Sequence, residues 1–245
     1  MPEIKTHYTP PDQKDIINTA FNSCTERKTY EEIKDSVDSV IMNANDQAKK
    51  MFFNQENKAG IIAITEYFQE NINPRIEEKA AVLSYIANQF KDLDKFFLSL
   101  AQARRSRAGI TFEAIIRLLF EKLDIPHSYQ PVVNGKPDFI VPGKEEYLRA
   151  PQDTIVVTAK RTVRERWRQI TTEGARGYRF FLATIDRNIS GTTLNEMAQN
   201  QVTLIIPQAI IDEKKVYQNH SVVKNYKYLF DSIIPHCLKS FGLHE

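Results

Sequence analysis

Cysteine is scarce in this sequence: Cys24 and Cys237 are the two present in 245 residues, far apart and with no histidine-rich cluster beside either. A disulfide framework is thereby excluded and no zinc-ligand spacing is offered, so both are expected as reduced thiols in a cytoplasmic protein. Long uncharged apolar runs are missing, and no basic, apolar, small-residue leader is visible, so neither membrane insertion nor secretion is expected. Repeats, low-complexity tracts and compositional breaks are absent as well, and the length suits one sizeable α/β core with an accessory layer. Net charge is nearly absent, with 33 basic residues against 31 acidic and a sum of +2.

The positive charge that is there is concentrated. Lys160 is followed by six arginines within nineteen residues, and the window 160–179 holds seven positive side chains against Glu165 and Glu173, or +5, so the rest of the chain sums to −3. Guanidinium forks match phosphate oxygens and guanine edges, which makes such a window suited to a polyphosphate partner. Upstream, Asp138 enters the short apolar run Phe139-Ile140-Val141-Pro142, and Asp153-Thr154-Ile155-Val156-Val157-Thr158-Ala159-Lys160 reads as a β-branched strand ending in a lysine. Side by side, those strands would bring Asp138 and Lys160 to one rim of a sheet. Carboxylates that hold Mg²⁺ and an ammonium that orients water or offsets developing charge are what metal-assisted phosphodiester hydrolysis requires.

Pro137-Asp138 followed by Thr158-Ala159-Lys160 resembles the PD-(D/E)XK nuclease signature, with a threonine where the second half-motif usually carries its acid. Glu173, thirteen residues beyond Lys160, fits the migrated acid of the SsoII/PspGI/EcoRII branch of type II restriction endonucleases, and Arg164-Glu165-Arg166 resembles the segment with which that branch reads CC:GG base pairs. The similarity runs from about Ser106 to Ile185.

This resemblance implies a Mg²⁺-dependent enzyme that cuts double-stranded DNA and leaves 5′-phosphates. Asp138, Glu173 and the backbone carbonyl of Ala159 would be metal ligands, and Lys160 would position or help deprotonate the attacking water. It implies a further acid from the helix before the Pro-Asp strand, for which Glu113 is the candidate; its other reading is an ordinary exposed helical glutamate. Glu173 can alternatively pair with Arg176. Arg164, Glu165 and Arg166 would read bases, since arginine bonds two acceptors on guanine and glutamate accepts from cytosine. Arg105 and Arg107 would contact phosphates, unless the Arg104-Arg105-Ser106-Arg107 cluster is a solvated helix end. Arg168 joins the DNA-contacting set or packs with Trp167, the single tryptophan, whose simpler reading is a core anchor.

A palindromic site implies a homodimer and, functionally, a cognate DNA methyltransferase. Some relatives flip a central base into an aromatic pocket; Phe52, Phe53, Tyr67 and Phe68 are available for one but read more simply as core. Two other functions compete: a non-cleaving DNA-binding module, opposed by the complete Asp138, Lys160 and Glu173 set, and a non-specific or structure-specific repair nuclease, opposed by the Arg-Glu-Arg triplet.

The fold expected is a restriction-endonuclease-like PD-(D/E)XK core with a mixed central sheet and an amino-terminal helical region, divided as 1–103 and 104–245 within one compact domain. Thr29 and Glu32 form a capping box before Ile33, Val37, Val40 and Ile41. Two further apolar stripes, Ile61 to Phe68 and Ala80 to Ile86, are expected to pack in the core, with a break at Asn73-Pro74. A helix with a broad apolar face follows Gly109. Strands are expected at 179–185 and 202–207, apolar enough for a sheet covered on both faces, and helices at 192–199, 209–215 and 226–238.

Overall fold

The computed structural model describes residues 3–71, 79–133, 136–163 and 179–243. Among the described residues, a short 3-10 turn at Ile4–His7 is followed by five α-helices: α1 (Gln13–Thr25), α2 (Tyr30–Asp35), α3 (Val37–Asn71), α4 (Lys79–Asn88) and α5 (Phe90–Lys122). The Asp12 side chain caps α1 by accepting from the Asp15 N–H, and the Thr29–Glu32 capping box at α2 is fully formed.

Two helices are longer than the sequence pattern suggested. Val37, Val40 and Ile41 of the first stripe and the whole second stripe lie on one 35-residue helix, α3, while Ile33 belongs to α2. The intervening run is rich in Ala, Lys, Gln and Glu and has no proline, and Gly60 within it is absorbed by the helix. Likewise α5 runs through Arg104 to Gly109 without interruption. An isolated glycine costs about 1 kcal/mol in a helix interior, which a helix of this length absorbs. The arginine cluster is therefore mid-helix, not at a helix end, and the 103/104 boundary falls within α5.

The second and third stripes also pack less than expected. Ile61, Ile62 and Leu83 are more than half exposed, and α4 buries no residue fully. A small separate cluster of Ala63, Tyr67, Phe96 and Leu100 with Ile4 covers one side of this end of the molecule. Among the described residues nothing covers the other side.

Among the described residues the sheet has six strands in sequential order: β1 (Ser128–Tyr129), β2 (Phe139–Val141), β3 (Ile155–Ala159), β4 (Arg179–Ala183), β5 (Val202–Ile205) and β6 (Val223–Lys224). The β1–β2 and β2–β3 pairs are antiparallel, and β3 through β6 are parallel. Successive residues of a strand point to opposite faces. Thus Phe139, Val157, Ala159 and Phe181 pack with α1, α3 and α5 in the main core, whereas Leu182, Val202 and Leu204 pack with the helix Gly191–Gln199 and Tyr217 on the other face. Ile140, Val156 and Tyr147 of α6 (Lys144–Arg149) form a third, smaller cluster. The helical run over 226–240, with a π-helical turn at Leu229–Ile233, closes the main core through Tyr226, Phe230 and Ile234.

Candidate active site

Asp138 stands at the entry to β2 and Lys160 one residue past β3. The antiparallel register pairs Phe139 with Val157, so the two ends meet at one rim of the sheet. Asp138 Oδ2 accepts from the Lys160 ammonium at 2.9 Å and from the Ala159 backbone N–H at 2.8 Å. The Lys160 side chain keeps 33% of its surface exposed, whereas Asp138 is buried. Burial pushes the Asp138 carboxyl above the ordinary carboxylate range; Lys160 and the Ala159 N–H pull it down, and the charge of Glu113 adds to the upward push. Thr158, where the motif usually has an acid, is buried.

Glu113 reaches this rim from α5. Its Oε1 accepts from the Tyr129 hydroxyl at 2.7 Å and from the Gln130 amide at 2.6 Å, so it is not a free solvated glutamate. The Gln130 N–H in turn donates to the Asp138 carbonyl at 2.8 Å. Burial, with the Glu113 carboxylate beside it, pushes the Tyr129 hydroxyl up to about 12. Downstream, Lys160 N–H is tied to the Ala183 carbonyl at 2.9 Å. The Asp186 carboxylate accepts from the Val163 and Asn188 N–H groups, both at 2.9 Å. The chain leaving Lys160 is thereby fixed to the loop after β4.

Asp138, Ala159, Lys160 and Glu113 are brought together. Arg164, Glu165, Arg166, Trp167, Arg168, Glu173 and Arg176 lie outside the described residues. Among the described residues no group of three or more His, Cys, Asp or Glu side chains could hold a metal ion. The oxygens present do suit a hard divalent cation: Oδ1 of Asp138 and Oε2 of Glu113 accept no hydrogen bond among the described residues.

Arg105 and Arg107, expected as a matched pair, differ. Arg105 is exposed, whereas Arg107 is buried, ion-paired to the buried Glu56 together with Arg104, and set over the Phe52 ring at 5.4 Å from its centroid. An open pocket of about 770 Å³ lies alongside, lined among others by Lys49, Phe52, Phe53, Arg105 and Arg161. Of the aromatics weighed as pocket residues, Phe52 and Phe53 line this pocket, and Tyr67 belongs to the separate cluster with Phe68 packed against it.

Four site residues escaped the sequence reading. Glu56 looks like any helical glutamate. Tyr129 ends a two-residue strand too short for an alternation to register, Gln130 is the residue just after it, and Asp186 follows β4 with no motif around it.

A mixed sheet carrying a buried aspartate and a one-third-exposed lysine on adjacent strand ends, backed by a long helix bearing a further carboxylate, has the architecture of a restriction-endonuclease-like fold. Solved structures share it: metal-depleted Ecl18kI in complex with uncleaved, modified DNA superposes with a TM-score of 0.82 over 96% of this chain and 81% of that one at 24% identity. The PspGI–substrate DNA complex gives 0.70 over 94% of each chain at 20% identity. In sequence, the chain is 33% identical over 147 residues to the type II restriction enzyme SsoII of Shigella sonnei, covering 55% of this chain and 48% of that protein. It is 30% identical over 142 residues to the type II restriction enzyme EcoRII of Escherichia coli, covering 54% and 35%. The chain thus matches about half the length of the first and about a third of the second. The model of the EcoRII C-terminal family matches residues 74–229, and the chain belongs to that family. The match extends well beyond both ends of the segment 106–185 in which the motifs were legible. No helix among the described residues is long and apolar enough to cross a membrane.

Proposed function

We propose that the protein is a type II restriction endonuclease that cleaves both strands of DNA at a palindromic CC/GG-containing site, of the CCGG, CCNGG or CCWGG type. It uses Mg²⁺ and leaves 5′-phosphate and 3′-hydroxyl ends. The observation that carries this reading is the contact of Asp138 with both Lys160 and the Ala159 N–H, which among the described residues leaves one carboxylate oxygen open and an ammonium beside it. Family membership supports it, as do the names of SsoII and EcoRII and the DNA bound to Ecl18kI and PspGI.

Asp138, Glu173 and the Ala159 carbonyl hold the ion, with Glu113 as a further acid. Bound there, Mg²⁺ polarises the scissile phosphate and acidifies water. Lys160 orients the attacking water and offsets charge gathering on the phosphate oxygens. The water oxygen bonds to phosphorus as the bond to the 3′-oxygen breaks; the water gives up a proton and the departing 3′-oxygen takes one up. Burial around Asp138 keeps bulk water from competing for its free oxygen.

Arg164, Glu165 and Arg166, with Arg168, read or flank the base pairs; the support for this is their sequence alone. Arg105, exposed on the pocket wall with Lys49 and Arg161, contacts phosphate. One such site per chain cuts one strand, so a homodimer serves a palindrome, and a cognate DNA methyltransferase protects the same site.

The test is digestion of a long DNA of known sequence with Mg²⁺ present and absent, followed by sequencing of the ends. Discrete fragments with a common CC/GG-containing terminus and 5′-phosphates are expected. A smear would make the protein a non-specific nuclease, and retardation without cutting would make it a DNA-binding protein.

A further inference from the structure

Glu113 sits on α5, an element that belongs to the helical layer and not to the sheet, so its carboxylate has to be aimed at Asp138 by something. Two side chains do this, both from the edge of the sheet. Tyr129 and Gln130 place a hydroxyl and an amide on the same oxygen, Oε1, at 2.7 and 2.6 Å.

The two donors are themselves fixed. The Tyr129 ring lies 5.4 Å from the Phe139 ring, its partner in the β1–β2 register, and the Arg117 guanidinium stands 5.1 Å from its centroid. Arg117 in turn pairs with Glu121 one helical turn on, at 3.2 Å. Gln130 has φ +46°, a left-handed conformation that a non-glycine residue adopts at a cost. That turn is secured by its N–H bond to the Asp138 carbonyl, so one residue binds the backbone of the first acid and the side chain of the second.

We infer that Tyr129 and Gln130 are positioning residues of the active site: they hold Glu113 by one oxygen beside Asp138 and leave its other oxygen free for a divalent cation. The inference rests on the proposal that Asp138 is the centre of a metal-dependent site. Outer partners of this kind fix the orientation of metal-binding carboxylates, and their loss weakens metal binding about 10–100-fold.

The test titrates Mn²⁺ into the full chain, without DNA, by calorimetry, with a thermal melt of each variant. Tyr129→Phe keeps the ring and removes the hydroxyl. Gln130→Asn keeps a residue that tolerates the left-handed turn and withdraws the amide by one methylene. Each should weaken Mn²⁺ binding about tenfold or more, with the melting temperature unchanged. Placed on Glu113→Gln, neither should weaken it further, because the acid they position is gone.

Wild-type affinity in both single variants, or the same loss with and without Glu113, would overturn the inference. So would Glu113→Gln binding Mn²⁺ like the wild type while Asp138→Asn does not; in that case the metal site at Asp138 stands and the positioning role alone fails. Undiminished binding in Asp138→Asn, or none in the wild type, removes the metal reading itself and this inference with it.

Discussion

Glu56 and Asp138 are both acids drawn out of water and answered by positive side chains, yet their surroundings differ. Glu56 lies between α3 and α5 with 1% of its side chain exposed, and both of its oxygens are taken by the guanidiniums of Arg104 and Arg107. Asp138 spends one oxygen on Lys160 and a backbone N–H and keeps the other unbonded among the described residues. In a closed pair of the first kind both oxygens already face guanidiniums deep between two helices, which it registers. An open pair keeps a carboxylate under strain of burial, with its pKa pushed up, and that residual demand is what a cation or a phosphate-bound water can satisfy. The same chemistry of acid and base thus separates into scaffold and site according to whether, among the described residues, a carboxylate oxygen is left without a partner.

The largest effect should come from breaking the closed pair. Glu56→Ala strands the buried Arg107, and removing one partner of a buried ion pair costs about 3–5 kcal/mol. At roughly 2–4 °C per kcal/mol for a chain of this size, a thermal melt should show the midpoint falling by about 6–20 °C. A midpoint within a degree of the wild type would show that Glu56 is not holding α3 to α5. Next comes Asp138→Asn, which should slow Mg²⁺-dependent cleavage at least about a hundredfold while gel-shift binding of DNA is retained. Near wild-type cutting would move the site elsewhere.

A third, smaller contrast lies between neighbouring arginines. Arg105→Ala should weaken binding to every duplex and reduce the slope of log affinity against log salt by about 1, with no change in stability. Arg107→Ala should lower the melting temperature as Glu56→Ala does. Equal behaviour of the two in salt titrations and melts would erase the distinction drawn from their burial.

The smallest effect concerns pH. Because the folded protein holds the Asp138 proton more tightly than the unfolded chain, this group's contribution is full below the ordinary value of 3.8 and is lost as pH rises through its raised one. At neutral pH the ionised wild-type acid therefore costs stability that Asn does not. Without metal, Asp138→Asn should melt one to a few degrees higher at pH 7, about 2–4 °C per kcal/mol recovered, and the gain should shrink toward pH 4. A variant that melts lower at pH 7, or a gain that grows on acidification, would mean that Lys160 and the Ala159 N–H outweigh the burial.

The open site was largely legible and the closed one was not. Asp138 and Lys160 stand at the ends of short, continuous apolar runs, where the run and a charged terminus announce a strand and its rim. The signals that carried the fold, namely the Thr29 capping box, the apolar face of α5 from Phe112 to Leu119, and the apolar runs of β3, β4 and β5, are all local in the sequence. Glu56 and Arg107 meet across 51 residues, and no local pattern distinguishes them from solvated helical charges. Tyr129 was hidden because a two-residue strand has no period, and Gln130 because it sits in the turn just after that strand. The apolar stripe at Ile61 and Ile62 misled for the opposite reason: periodicity reports which side chains share a face, and whether anything covers that face is decided by the tertiary structure.

Lys160→Ala tests the contrast most directly, because the residue belongs to the open pair, is one-third exposed and anchors nothing else among the described residues through its side chain. Single-turnover cleavage and a thermal melt should be measured on one preparation. The expected result is a loss of Mg²⁺-dependent cleavage of at least about a hundredfold with a midpoint that falls less than that of Glu56→Ala, because Asp138, unlike the stranded Arg107, keeps the Ala159 N–H and can take up a proton. Cleavage at near wild-type rate, or a collapse in stability like that expected of Glu56→Ala, would contradict the division between an open pair for chemistry and a closed pair for structure.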